Sequence, residues 1–273
     1  ESTLIVAPQF FGVEAIRQRI PSGMIAWKTS PYRGSSLACV GPAKKGIGLS
    51  AYTVLDQLLS HLNNRKRFPS LKFIKIAGHS AGGQMAHRYA VAGKYASRNG
   101  VRLHFVASAP SSFAYLTEER PVIGSKNEFR KPDPNAAQFD PNYNKWGYGL
   151  DTPYRYLRGT SAEFIRKRYG NRRVLYLCGS RENDPNDQSM SRNKGAMMQG
   201  RQRLERLNYF YKHLIEVYGE RIKKRHAKVL SDADHHGSRV YSCAGGLKVL
   251  FDHDPRDSDG DGKSDWEEWL EGF

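Results

Sequence analysis

The stretch Phe73-Ile74-Lys75-Ile76-Ala77-Gly78-His79-Ser80-Ala81-Gly82-Gly83 constrains the fold more than any other part of the chain. An apolar run ends in Gly-His-Ser-Ala-Gly, and Gln84 to Val91 continues in a helix-compatible pattern. Strand, tight turn and helix form the setting in which a G-x-S-x-G pattern presents a serine hydroxyl at the carboxyl edge of a sheet. Small residues flank such a serine because its backbone is strained and the strand and helix crowd it. The N–H groups that follow Ser80 point at the same spot. A Gly-rich turn with no chemistry is the bland alternative; the strand before it and Ala81, Gly82 and Gly83 after it weigh against that.

The rest of the chain alternates strands and helices. Leu4 to Ala7 is expected to be a short strand ending at Pro8-Gln9-Phe10, and Trp27 to Ala43, rich in Gly, Ser and Pro, a loop. A helix begins near Ser50, with Leu55, Leu58, Leu59 and Leu62 on one face. Leu71 to Ala77 is the strand feeding Ser80, and the helix after it ends by Gly93. Further strands are expected at Val101–Ala107, Arg173–Gly179 and Ala227–Leu230, and helices at Ser161–Tyr169, Ala196–Tyr218 and Val240–Phe251. This order predicts an α/β fold with a mostly parallel central sheet, whose functional groups collect at the carboxyl ends of the strands. Residues 1–252 read as one domain. Within it, residues 115–159 lose periodicity and fill with Pro, Asn, Asp and aromatic residues, which predicts an irregular lid or pocket wall.

A serine nucleophile needs a base, and the base needs an acidic orienter. In a sheet of this kind they follow in the order Ser, Asp or Glu, His, each after a strand. Ser80 follows one strand; Glu182, with Asp184 and Asp187 close behind, follows the next candidate; His235 and His236 follow the last. His79 neighbours the serine but its side chain is expected to point away and pack beside the turn, and His226 reads as an ordinary histidine. The oxyanion needs two fixed N–H donors. Ala81 is one, and Phe10 or Gln9, in the loop after the first strand, is the other.

The formal charge is +16, unevenly spread. Residues 252–273 hold nine acidic and two basic residues, a net of −7, which leaves +23 on the other 251. Clusters such as Arg65-Lys66-Arg67 and Arg221–Arg225 read as a solvated basic face with a capacity for weak polyanion binding. No nucleic-acid-binding motif is present, and no apolar run approaches the ~20 residues of a membrane span. Three cysteines cannot all pair: Cys178, in an apolar run, reads as a buried thiol, and a Cys39–Cys243 disulfide is an open option.

In these landmarks the chain resembles secreted α/β-hydrolase-fold esterase-like proteins of bacteria and fungi, over roughly Leu4 to Phe251. The matching stretches are Val6-Ala7-Pro8-Gln9-Phe10, Leu49 to Asp56, Gly78 to Gln84, Ala109-Pro110-Ser111-Ser112 and Ala196-Met197-Met198-Gln199-Gly200. The resemblance implies an α/β-hydrolase fold with helices on both faces of the sheet, and a serine esterase acting on small or polymeric esters without a catalytic cofactor. Such relatives carry Gly-x-x-Asp after the acid-bearing strand; here Gly179-Ser180-Arg181 leads to Glu182, so Glu182 becomes the expected acid and Asp184 the runner-up. They carry Gly-His after the last strand, and Asp234-His235 matches that register, favouring His235 over His236. The resemblance also implies strands before Leu4, so the chain is either a reduced, cutinase-like version or lacks its amino-terminal part. With no initial Met and no signal-like stretch, it is expected to be a processed form or fragment of a secreted, periplasmic or cell-surface protein.

The tail holds a second motif. Asp257, Asp259, Asp261, Asp265 and Glu268 fall at positions 1, 3, 5, 9 and 12 of a calcium loop, with Gly262 at position 6 and the Lys263 carbonyl at position 7. Residues 253–273 are therefore expected to bind a structural Ca²⁺, as in the short Asp-rich calcium repeats of secreted bacterial proteins that they resemble.

Overall fold

The computed structural model describes residues 3–13, 20, 22–27, 37–40, 45–96, 99–151 and 154–251. Three antiparallel strands come first, β1 (Ile25–Trp27), β2 (Leu37–Val40) and β3 (Lys45–Ser50), paired in the order β1-β2-β3. Ser50 ends β3 and caps α1 (Ala51–Leu62), its hydroxyl accepting the Tyr52 N–H at 3.2 Å. The centre is a parallel sheet in the order β4-β5-β8-β9: β4 (Phe73–His79) and β5 (Arg102–Ser108), then β8 (Arg173–Gly179) and β9 (His226–Ser231), separated in the chain by the small hairpin β6 (Arg120–Pro121) and β7 (Phe129–Arg130).

The two-residue period of the strands sorts their side chains onto two faces. Phe105, Ala107, Val174, Tyr176 and Cys178 enter the larger core. There they meet α2 (Ala81–Ala92), α3 (Ala162–Gly170) and, after the four-residue α4 (Lys194–Met197), α5 (Arg203–Tyr218). Val106, Leu175 and Leu177 face the other way, against α6 (Gly237–Ser242) and α7 (Ala244–Phe251) through Val240 and Val249. Helices therefore cover both faces, and the helices, strands and register around Ser80 follow the expected pattern. No described helix is long and apolar enough to cross a membrane.

Four expectations are corrected. Leu4 to Ala7 forms no strand: Leu4 and Ile5 are 70% and 74% exposed. Four apolar residues stopped by a proline, which has no N–H, offer too few ladder bonds to hold a strand by themselves. The region Trp27 to Ala43 is not all loop, because Leu37–Val40 forms β2 between β1 and β3. The helix expected over 196–218 is broken into α4 and α5, since Gly200 takes a φ of 138° that side-chain-bearing residues avoid. The last helix is likewise two: Cys243 is extended between α6 and α7, and a Cβ on Gly246 would lie 2.1 Å from the Val240 carbonyl oxygen. Cys178 and Cys243 are both free thiols, so the optional Cys39–Cys243 disulfide is not made; the Cys243 thiol donates instead to the Val240 carbonyl at 3.2 Å.

Apart from the β6–β7 hairpin and a short turn at Arg155–Leu157, the aromatic-rich segment is irregular, and buried arginines satisfy its carbonyls. Arg120 donates to the Tyr143 and Tyr148 carbonyls and to Asn144 Oδ1, and lies against the rings of Tyr115 and Tyr143. Arg88 of α2 reaches the Gly147 carbonyl through two nitrogens. Trp146, Tyr154 and Tyr156 pack edge-on against Tyr52 of α1, joining the segment to the main core.

Candidate active site

Ser80 joins β4 to α2 with φ 55° and ψ −114°, a left-handed backbone that costs a non-glycine residue of order 1–3 kcal/mol. Its neighbours are small for a geometric reason. A Cβ on Gly78 would lie 2.2 Å from the Gly82 carbonyl oxygen, and one on Gly83 would lie 2.1 Å from that of Ser108. The Ser80 N–H donates to the Ser108 carbonyl at 2.9 Å, and the Gln84 N–H to the Ser80 carbonyl at 2.9 Å, so strand and helix grip the turn from both sides.

The strand ends bring the other groups to this turn. Glu182 lies three residues beyond β8 and folds back on it: Oε1 accepts the Gly179 N–H at 3.0 Å and the Cys178 thiol at 3.6 Å. Oε2 accepts the His235 Nδ1–H at 2.7 Å. With Nδ1 donating to a carboxylate, Nε2 is left as the acceptor for the Ser80 hydroxyl, 3.0 Å away. Glu182 has a side chain 1% exposed, whereas His235 keeps 22% of its side chain in solvent. A buried carboxylate, an imidazole at the surface of the site and a hydroxyl are thus joined in one hydrogen-bonded line.

Of the sequence candidates, Ser80, His235 and Glu182 are brought together. Asp184 is exposed and its carboxylate accepts the Asn186 N–H at 2.8 Å. His236 is exposed at the start of α6, and its N–H donates to Asp234 Oδ1 at 3.1 Å. Ala81 opens α2 directly after the serine. The loop carrying Gln9 and Phe10 is tied to β1 by the Trp27 N–H donating to the Phe11 carbonyl at 2.8 Å and by the Phe10 ring on Trp27. The expected calcium ligands Asp257, Asp259, Asp261, Lys263, Asp265 and Glu268 lie outside the described residues.

The sequence gives no sign of the support that two residues, His79 and Arg203, lend to this line. His79 sits beside the turn as expected, and it also holds His235: its Nε2–H donates to the His235 carbonyl at 2.9 Å, while Nδ1 faces Ser108 Oγ at 3.0 Å. The two imidazoles lie 4.7 Å apart, and burial depresses the proton affinity of His79. Arg203, the first residue of α5, pairs with Asp187 and lies 3.7 Å from Glu182 Oε2. No linear signal marks either residue, because each acts through a partner brought in by another strand or loop.

Behind the turn lies a buried polar frame. Gln84 Nε2 donates to Ser111 Oγ at 2.9 Å, and Arg88 donates to Gln84 Oε1 and Ser112 Oγ. Gln199 makes a pair of 2.8 Å bonds to the Phe113 backbone, and Arg206 donates to the carbonyls of Gly200 and Ser111. Unpaired, such groups would cost about 1–3 kcal/mol each, so the mutual pairing holds the loop after β5 in one place under Ser80.

No protein-family profile matches the chain, and no curated protein sequence does. Similar solved structures include two hydrolytic proteins. Poly(aspartic acid) hydrolase-1 from Sphingomonas sp. KT-1 shares 23% identity at a TM-score of 0.44, over 71% of this chain and 60% of that one. The poly(3-hydroxybutyrate) depolymerase LpqC from Bordetella parapertussis shares 17% identity at a TM-score of 0.49, over 77% of this chain and 59% of that one. This chain therefore spans about three fifths of the length of each.

Proposed function

We propose that the protein is a serine hydrolase of carboxylic esters, of the α/β-hydrolase kind. The observation that carries this reading is the line Ser80–His235–Glu182, with bonds of 3.0 and 2.7 Å, on a serine held at φ 55°. Ser80 Oγ attacks the ester carbonyl and its proton passes to His235 Nε2; Glu182 steadies the resulting imidazolium. The Ala81 N–H and a second amide, from Phe10 or Gln9, hold the oxyanion. Collapse of the tetrahedral intermediate breaks the carbon–oxygen bond, and His235 returns the proton to the leaving alcohol. Water, activated by the same imidazole, then releases the acid from Ser80. The aromatic segment 115–159 is the proposed wall for the acyl or alcohol part.

A panel of p-nitrophenyl esters of increasing acyl length tests the reading. Turnover by the wild type that disappears in Ser80→Ala supports it; equal rates from the two proteins, or no turnover of any ester, rule it out. Residues 257–268 are proposed to bind a structural Ca²⁺ that takes no part in the chemistry, in a protein exported from the cytoplasm. Millimolar calcium is expected to raise the melting temperature by a few degrees, and Asp259→Ala to remove most of that rise; a melting temperature indifferent to calcium contradicts the site.

A further inference from the structure

We propose that Arg203, gripped by Asp187, is a positioning residue that fixes the Glu182 carboxylate for His235 and sets the pH at which the site becomes active. This rests on the reading of Ser80, His235 and Glu182 as a catalytic line. A carboxylate whose side chain is 1% exposed needs compensation for its lost hydration. Hydrogen bonds from Gly179 and Cys178 serve Oε1, but Oε2 meets an imidazole that is neutral while it acts as a base. Arg203, itself with a side chain 2% exposed, places a permanent positive charge 3.7 Å from that same Oε2.

The guanidinium is held from its far side. Asp187 Oδ2 takes Nη1, and Ser189 Oγ accepts from Nη2 at 3.1 Å; Asp187 in turn accepts the Ser189 N–H and hydroxyl. The backbone closes the arrangement, because the Leu204 N–H donates to the Glu182 carbonyl at 3.2 Å. The loop after β8 is thus folded around the first turn of α5, and charges alternate along Asp187, Arg203 and Glu182 toward His235. Among the described residues, other polar groups near this line are His79 from β4, Cys178 from β8, Lys228 from β9, Arg206 from α5 and Tyr241 of α6, whose ring meets His79 edge-on. The field of Arg203 extends beyond its direct contacts: it opposes protonation of His79, while Glu182 favours it.

The two charges act on the base in opposite senses. On this proposal the positive charge of Arg203 opposes a second positive charge on the His235 ring, and the negative charge of Asp187 offsets part of that. Removing the arginine charge therefore favours the protonated, inactive base, and removing the aspartate charge disfavours it.

The test is the pH dependence of kcat/KM on the most reactive ester, for Arg203→Met, Arg203→Lys and Asp187→Asn beside the wild type. Arg203→Met is expected to lower kcat about tenfold and move the acid limb upward by about one pH unit, with KM within about twofold. Arg203→Lys keeps the charge, returns the limb toward the wild-type pH and restores part of kcat. Asp187→Asn is expected to move the limb downward. Limbs that stay in place, or shift in the same direction for Arg203→Met and Asp187→Asn, overturn the proposal, as does Arg203→Lys behaving like Arg203→Met. If Arg203→Met does not fold by circular dichroism, the sign of the Asp187→Asn shift decides. A wild type without Ser80-dependent turnover removes the catalytic reading and this role with it; a wild type that turns over while the limbs stay fixed removes this role alone.

Discussion

His226 opens β9 and His235 lies in the loop four residues beyond its end, and they show how differently one residue type can be partnered around one strand. At the amino end, His226 is buried against Tyr169 and Tyr176; its Nε2–H donates to the Tyr169 carbonyl at 3.0 Å and Nδ1 faces the Tyr176 hydroxyl at 3.1 Å. Burial pushes it down to about 4, so it is a neutral packing group that hydrogen bonds on both sides. At the carboxyl end, His235 has a carboxylate on Nδ1 and a hydroxyl at Nε2, and keeps contact with solvent. A carbonyl orients an imidazole, whereas a carboxylate also stabilises the positive charge that appears when the imidazole takes a proton. On the proposed reading, the partner, more than the histidine, separates structure from chemistry.

If the carboxylate makes that difference, neutralising it has the largest effect. Glu182→Gln is expected to reduce kcat/KM about a thousandfold or more while the fold is retained, and Asp184→Asn to stay within about twofold. Steady-state kinetics on both variants checks this. The reverse ranking would return the role of the acid to Asp184.

The neutral side of the comparison predicts sensitivity to acid. His213 is pushed down to about 3 and His87 well below its ordinary value, both chiefly by burial; their Nε2 atoms accept the Leu116 and Ala114 N–H groups, which requires the unprotonated ring. A histidine depressed in the folded state contributes stability that is complete above the unfolded value near 6.5 and is lost as pH falls below it. With His226, itself pushed down to about 4, three such rings approach a slope of about 4 kcal/mol per pH unit between about pH 6 and pH 4. Urea titrations at pH 7, 6 and 5 should show that loss; equal stability at pH 7 and 5 contradicts the burial of neutral imidazoles.

The smallest effect sharpens the contrast. His226→Leu removes one hydrogen bond each from the Tyr176 hydroxyl, which keeps the Tyr169 hydroxyl, and from the Tyr169 carbonyl, which keeps the Arg172 N–H, at an expected cost of about 1 kcal/mol. Its rate per folded molecule should match the wild type, measured below its own melting transition. A large loss of rate in the folded variant would mean that the two ends of β9 are coupled.

How much of this was legible in the chain depended on distance along it. The turn at Ser80 was readable because its constraints are local: glycines are needed at 78 and 83 where backbones of β4, β5 and α2 touch. The order of Ser80, Glu182 and His235 was readable because topology carries each strand end to one edge. Glu182 fits where shorter acids are expected because the side chain curls back onto Gly179 and spends its extra methylene there. Arg203 and the support given by His79 were not readable, since an arginine opening a helix and a histidine ending a strand carry no pattern until Asp187 and the His235 carbonyl arrive. Leu4 to Ala7 misled for the converse reason: strand composition without a paired edge does not make a strand.

The most direct test of the central claim is covalent labelling by a fluorophosphonate, read by intact mass on the folded protein. The account predicts one adduct on the wild type, mapped to Ser80, none on Ser80→Ala, and labelling slowed at least about a hundredfold in His235→Gln but unchanged in His226→Leu. No adduct on the wild type, or equal labelling of wild type and Ser80→Ala, would contradict it.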